Sequence, residues 1–324
     1  MVSEKTLSDY FDTTGREDIL TGGIKMIPIQ TAFGEFKVWT KRIGNNPTIK
    51  VLLLHGGPGA THELFECFDS FFPVEGFEYY YYDQLGSYYS DQPTEPNLWE
   101  TSRFVEEVEQ VRKALKLDKS NFYLLGQSWG GLLAVEYALK YQNNLKGLVI
   151  SNMMMSIPAY NKFVDEVLLP KFKPEILAEI KDLEAKGDFN NPRYMGLLLS
   201  NFSTKHFIHM PVEQWPEPFN RGFKHFNEDI HKLMWGPSGL SVQGTLKKWD
   251  RTSNLSEIKV PTLAIGATND MMDPEHIKWV SDQVQKGQYL LCPNGSHCPF
   301  YDDQKIYFDG LTKFIKDVNQ KKEK

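Results

Sequence analysis

Cysteine is scarce: Cys67, Cys292 and Cys298 are the only three in 324 residues. An odd, sparse set argues against a disulfide framework and fits a reducing compartment, so the thiols are expected free and the protein cytoplasmic. Cys292, His297 and Cys298 lie close together, but no second cluster completes a zinc pattern, so no metal is expected. Basic charge is not in excess. Lys and Arg number 36 against 42 Asp and Glu, a net charge of −6, which leaves no broad footprint for nucleic acid or an anionic membrane. Apolar runs reach only a few residues, too few to span a bilayer. The opening MVSEKTLSDYFDTTG has no apolar core, so no signal peptide is expected, and the closing KKEK reads as a solvated tail. Repeats and low-complexity stretches are absent. With 41% hydrophobic and 24% charged residues, composition is that of an ordinary globular protein, not of a disordered, collagen-like or coiled-coil chain. The length suits one large domain or two moderate ones.

What is present alternates. Ile24–Ile29 and Gly34–Thr40 read as an opening strand pair. Thr48–Leu54 (TIKVLLL) ends at a Gly-Pro-rich turn, as a buried parallel strand does. Further strands are expected at Phe77–Tyr82, Asn121–Leu125, Leu145–Ser151, Val260–Ile265 and Gln288–Leu291. Helices are expected over Ser102–Leu117, with Phe104, Val105, Val108 and Val111 at helical spacing, over Gly131–Tyr141 and over Tyr307–Val318. Strand–helix alternation implies an α/β fold with a mostly parallel sheet flanked by helices. Between about Ser156 and Gly244 the strand pattern stops in favour of proline, aromatics and helical patches. We therefore expect a core of residues 1–155 and 245–324 and a helical cap insertion at 156–244.

Three segments carry chemistry. Gly126-Gln-Ser-Trp-Gly130 has the form G-x-S-x-G between a strand and a helix. That is the turn on which a nucleophilic serine stands, here Ser128, with the Trp129 N–H as one oxyanion donor. His55-Gly-Gly-Pro-Gly59 follows the first buried strand, where a glycine-rich loop can aim further backbone N–H groups at an attacked carbonyl. Of the eight histidines, only His297 follows the last expected strand, where the order Ser…Asp/Glu…His puts the base. His55 is expected to support its loop. His206, His209, His225 and His231 fall in the insertion as surface or packing residues. Asp270 and Asp273 both follow the strand Val260–Ile265. Asp270 comes first and is preferred as the acid, whereas Asp273 precedes Pro274 and suits a helix N-cap.

These segments resemble the prolyl aminopeptidase (proline iminopeptidase) family of α/β-hydrolases, serine peptidase family S33. The carriers are HGGPG at 55–59, YYDQLGSYYSDQP at 81–93, GQSWGG at 126–131, GTLKKWD at 244–250, DMMDP at 270–274 and GSH at 295–297. The resemblance implies a serine hydrolase that removes N-terminal proline from peptides through Ser128, Asp270 and His297. It also implies oxyanion N–H groups at Gly57 and Trp129, and no cofactor. Short peptides or small acyl compounds are then the substrates. There is a departure. The family holds the substrate's α-ammonium with acids, one of them in a cap segment like G-P-x-E. Here that segment is Gly236-Pro-Ser-Gly239, and Met271 stands where some members have a second glutamate. An unpaired ammonium in a closed pocket is costly, so another carboxylate must compensate or no free amine is used. Glu213 and Glu217 are candidates, although both suit solvated helix starts better. Trp215, Phe219, Phe223, Phe226 and Trp235 could wall a pyrrolidine pocket or simply form the cap's own core. A carboxylesterase or amino-acid amidase on the same core stays open, as does a non-catalytic binding protein.

Overall fold

The computed structural model describes residues 7–320; the residues numbered 1–6, and the KKEK tail, lie outside it. Eight strands form one sheet: β1 (Ile24–Thr31), β2 (Gly34–Ile43), β3 (Lys50–Leu54), β4 (Glu78–Asp83), β5 (Phe122–Gln127), β6 (Gly147–Ser151), β7 (Thr262–Ala267) and β8 (Gly287–Cys292). Their order is β1-β2-β4-β3-β5-β6-β7-β8. β1 and β2 pair antiparallel, β2 joins β4 antiparallel, and β3 to β8 run parallel. This is the mostly parallel sheet expected from the alternation. Strand ends move by one to a few residues. β4, for example, runs to Asp83 rather than Tyr82, because Asp83 still pairs with Trp39 across the sheet.

Every residue of β4, β5, β6 and β7 is buried, which requires cover on both faces. Side chains alternate along the strands to meet it. Leu52, Tyr80, Leu124 and Leu148 pack with helices Thr101–Ala114 and Trp129–Tyr141 on one face. Val51, Tyr79, Tyr123 and Val149 pack with Phe65, Phe68, Leu311 and Ile315 on the other. From β3 the chain moves to β4 on one side, while β5 adds on the other. The loops leaving β3 and β5 therefore diverge and leave a crevice at the carboxyl ends of the strands, where ligands bind in open parallel sheets. Between β6 and β7 the described residues form no strand. They make helices Ile157–Phe163, Pro174–Ala185, Pro192–Leu198, Glu217–Lys224 and Glu228–Met234, and a π-helical turn Leu199–Phe207.

Candidate active site

Ser128 sits between β5 and the helix Trp129–Tyr141 at φ 55° and ψ −124°, a region that L-residues rarely occupy. The glycines on either side make that turn possible. A Cβ on Gly126 would overlap the Gly130 carbonyl oxygen, and a Cβ on Gly130 would overlap that of Leu54. The turn is thus pressed against the end of β3, where the loop His55–Gly59 begins. A Cβ on Gly56 would stand 3.1 Å from Ser128 Cβ, so the glycine loop lies directly beside the nucleophile candidate. Among the described residues, no acceptor takes the backbone N–H of Gly57 or of Trp129. Gly57 has φ 107°, open only to glycine at low cost.

His55 is fully buried and has a supporting role, as expected. Its Nε2 accepts from the Gln84 N–H at 3.1 Å, and its Nδ1–H donates to the Gly56 carbonyl at 3.0 Å. Burial lowers its pKa to about 4, so the ring is neutral at pH 7. Gln84 ties loop to elbow. Its amide donates to the His55 carbonyl, and its Oε1 accepts from Trp129 Nε1 at 2.9 Å. Gln84 lies in the tract 81–93 that carries the resemblance, but nothing in the sequence marks this tie.

The acid and base loops leave adjacent strands, β7 and β8. His297 Nδ1 donates to Asp270 Oδ1 at 2.8 Å, and both side chains are buried. Asp270 Oδ1 also accepts from the Met272 N–H at 3.0 Å, and Oδ2 from Asn152 Nδ2 at 2.7 Å. Asp273 instead caps helix Pro274–Gln283, its Oδ1 accepting from the Glu275 N–H. Gln127, beside the nucleophile, donates from Nε2 to the His297 carbonyl at 3.1 Å. No hydrogen bond joins Ser128 to His297 here. Among the described residues, no group of three His, Cys, Asp or Glu side chains is arranged to hold a metal ion.

Residues from the helical segment between β6 and β7 reach this centre. The Phe207 ring lies 5.2 Å from the His297 ring and contacts Phe219 at 5.6 Å and Phe223 at 6.4 Å. Trp215 packs edge-on against Phe219, while Trp235 stacks near His231 and Tyr160. Glu213 is exposed. Glu217 is exposed as well and is held by Arg221 at 3.0 Å. Neither carboxylate has a contact with Ser128, Asp270 or His297. Two other acids emerge. Glu63 is fully buried and accepts from Arg221 at 2.7 Å, His225 at 2.8 Å and Thr61 Oγ1 at 2.9 Å. Glu184 Oε1 accepts from Ser238 Oγ at 2.6 Å and Tyr194 Oη at 2.7 Å, and Tyr194 Oη in turn accepts from the Gly239 N–H. A carboxylate thus stands beside the Gly236–Gly239 turn, supplied from a helix some fifty residues earlier in the chain. Met271 is buried beside Asp270.

No helix among the described residues is long and apolar enough to cross a membrane. The model of the α/β hydrolase fold family matches residues 50–304. The chain is 60% identical over 297 residues to a proline iminopeptidase of Flavobacterium johnsoniae, covering 92% of this chain and 99% of the relative. It is 59% identical to a proline iminopeptidase of Elizabethkingia meningoseptica, covering 91% of this chain and 99% of the relative. The solved structure of VinJ superposes with a TM-score of 0.82 at 26% identity, over 90% of this chain and 98% of that one. A family match over residues 50–304, and identity of this order over more than nine-tenths of the chain, mean that the chain belongs to the α/β-hydrolase fold and, within it, to the proline iminopeptidase family.

Proposed function

We propose that the protein is a serine aminopeptidase that releases N-terminal proline from short peptides. The observation that carries this reading is the 2.8 Å His297–Asp270 bond beside a strained Ser128 and a free-N–H glycine loop. Asp270 fixes the tautomer of His297 in which Nε2 carries the lone pair. When substrate is bound, Nε2 takes the Ser128 proton as Oγ attacks the scissile carbonyl; catalytic bonds commonly tighten only in such complexes. The Gly57 and Trp129 N–H groups receive the oxyanion. His297 then protonates the leaving amine, and water, activated by the same ring, releases the acyl group. Residues 156–244 act as a cap, its aromatic face (Phe207, Phe219, Phe223) offering apolar walls to a pyrrolidine ring. Glu184, bonded to the Gly236–Gly239 turn, supplies the negative charge for the substrate ammonium. The three free thiols suit a cytoplasmic enzyme.

A second reading, a carboxylesterase or amidase, is favoured by Gly239 and Met271, which put no acid where some relatives have one. Proline p-nitroanilide, its N-blocked form and p-nitrophenyl acetate, compared side by side, separate the two. The aminopeptidase cleaves the first and spares the second; indifference to the block selects the esterase or amidase. Turnover by Ser128→Ala at the wild-type rate would end both.

A further inference from the structure

The acid and base loops are stitched together on one side by their own backbones. Thr268 N–H donates to the Cys292 carbonyl at 3.1 Å and Asn269 N–H to the Gly295 carbonyl at 3.0 Å. On the other side stands a residue of the insertion, His206, expected from the sequence to be surface or packing. It is buried, at 8% exposure. Its Nδ1 lies 2.9 Å from the carbonyl oxygen of Asn269, the residue just before Asp270. A carbonyl only accepts, so Nδ1 carries the proton. The carbonyl oxygen of His206 itself accepts from the backbone N–H of His297 at 3.0 Å. One residue therefore holds the acid loop with its ring and the base with its backbone. The next residue continues the seam. The Phe207 carbonyl accepts from the Cys298 N–H at 3.1 Å and from Ser296 Oγ at 2.9 Å.

We propose that His206 is a positioning residue that brackets the Asp270 and His297 loops, so that alignment of the base on Ser128 depends on this turn of the insertion. The proposal rests on the Ser128–His297–Asp270 reading. The backbone half of the bracket survives any substitution, so the ring's half can be tested alone. Leucine has similar bulk and no donor, and leaves the half-buried Asn269 carbonyl without that partner. Asparagine places an N–H close to the position of Nδ1. Glutamine places it farther out, near the position of Nε2.

The experiment uses the purified full chain. It measures kcat and KM for proline p-nitroanilide and the rate constant for labelling Ser128 with a fluorophosphonate. The labelling reads activation of the nucleophile without proline recognition. His206→Leu is expected to lower kcat and the labelling rate together by about tenfold to hundredfold, with KM within about threefold. His206→Asn is expected to recover both to within about threefold of wild type, and His206→Gln is not. The assignment falls if Leu matches wild type, if Asn is as impaired as Leu, or if Gln rescues as well as Asn. The Asn–Gln comparison decides the matter even where the Leu variant does not fold. Ser128→Ala separates the two levels. If it keeps normal turnover, the triad reading fails. If it is inert while His206→Leu is normal, only the bracket fails.

Discussion

Asn152, the residue that follows β6, stands at φ 55° and donates its amide to Asp270 Oδ2 at 2.7 Å. The same nitrogen is 3.2 Å from the Ser296 carbonyl, next to His297. Its Oδ1 is in turn fixed by Ser151 Oγ at 2.8 Å. The carboxylate thus has its two oxygens divided. Oδ1 faces the imidazole and the Met272 N–H; Oδ2 faces Asn152.

Removing the Asn152 amide is expected to weaken catalysis through Asp270. A hydrogen bond to a charged group is worth about 1.5–3 kcal/mol, hence about a tenfold to hundredfold loss in kcat for Asn152→Gly. Glycine is the informative substitution because it accepts the positive φ without strain. An unchanged kcat would show that Asp270 needs no second partner.

Much of this arrangement was legible in advance. β3, β5 and β6 are short apolar runs closed by glycine, proline or turn residues, and the serine, acid and histidine follow in the order that the sheet topology requires. Asp273 caps the helix that starts at Pro274, as that context suggested, and Asp270 is the one of the two that bonds His297. Asn152, Gln84, His206 and Glu184 were not legible. Each makes a bond across 45 or more residues of sequence (Trp129 to Gln84, Ser238 to Glu184, Asn269 to His206, Ser296 to Asn152), and polar residues at strand ends or in a helical segment carry no periodic signal. The candidates Glu213 and Glu217 came from local composition. The structure leaves both exposed and puts buried carboxylate charge at Glu63, behind Arg221.

That Glu63–Arg221 pair is asymmetric. Arg221 is a third exposed and also reaches Glu66 at 2.6 Å and Glu217 at 3.0 Å, whereas Glu63 has no access to water. Arg221→Ala strands a buried carboxylate with Thr61 and His225 and is expected to cost about 2–3 kcal/mol, the exposure of the guanidinium holding it below a fully buried pair. Glu63→Gln keeps an acceptor for Arg221 and removes the buried charge, and is expected to cost about 1 kcal/mol or less. Urea unfolding of the two variants checks the order. A more damaging Glu63→Gln would contradict it.

Glu184 gives a functional contrast. Glutamine at this position keeps an acceptor oxygen for Tyr194 and Ser238 and drops only the charge. If the charge meets a substrate ammonium, Glu184→Gln raises KM for proline p-nitroanilide by about tenfold. Hydrolysis of p-nitrophenyl acetate, which carries no amine, stays at the wild-type rate. Equal effects on both substrates would assign Glu184 to cap structure alone.

Acid stability follows from His55. Its pKa is lowered from 6.5 to about 4 in the fold, chiefly by burial. The unfolded chain therefore binds a proton that the folded chain refuses between those two values. The stability tied to the neutral ring is complete above pH 6.5 and is lost as the pH falls through about 4. Its slope is about 1.4 kcal/mol per pH unit and its total about 3 kcal/mol. Carboxylates add their own pH dependence, so the difference between two proteins is the measurement. His55→Gln has no titrating ring, and its urea midpoint is expected to fall less steeply than that of the wild type between pH 6.5 and 4. It is also expected to be less stable at pH 7.5, because the Gln84 N–H and Gly56 carbonyl lose a ring that served both. Parallel midpoint curves across this window would mean that the His55 ring is already charged in the folded protein, which its acceptor role at Nε2 forbids.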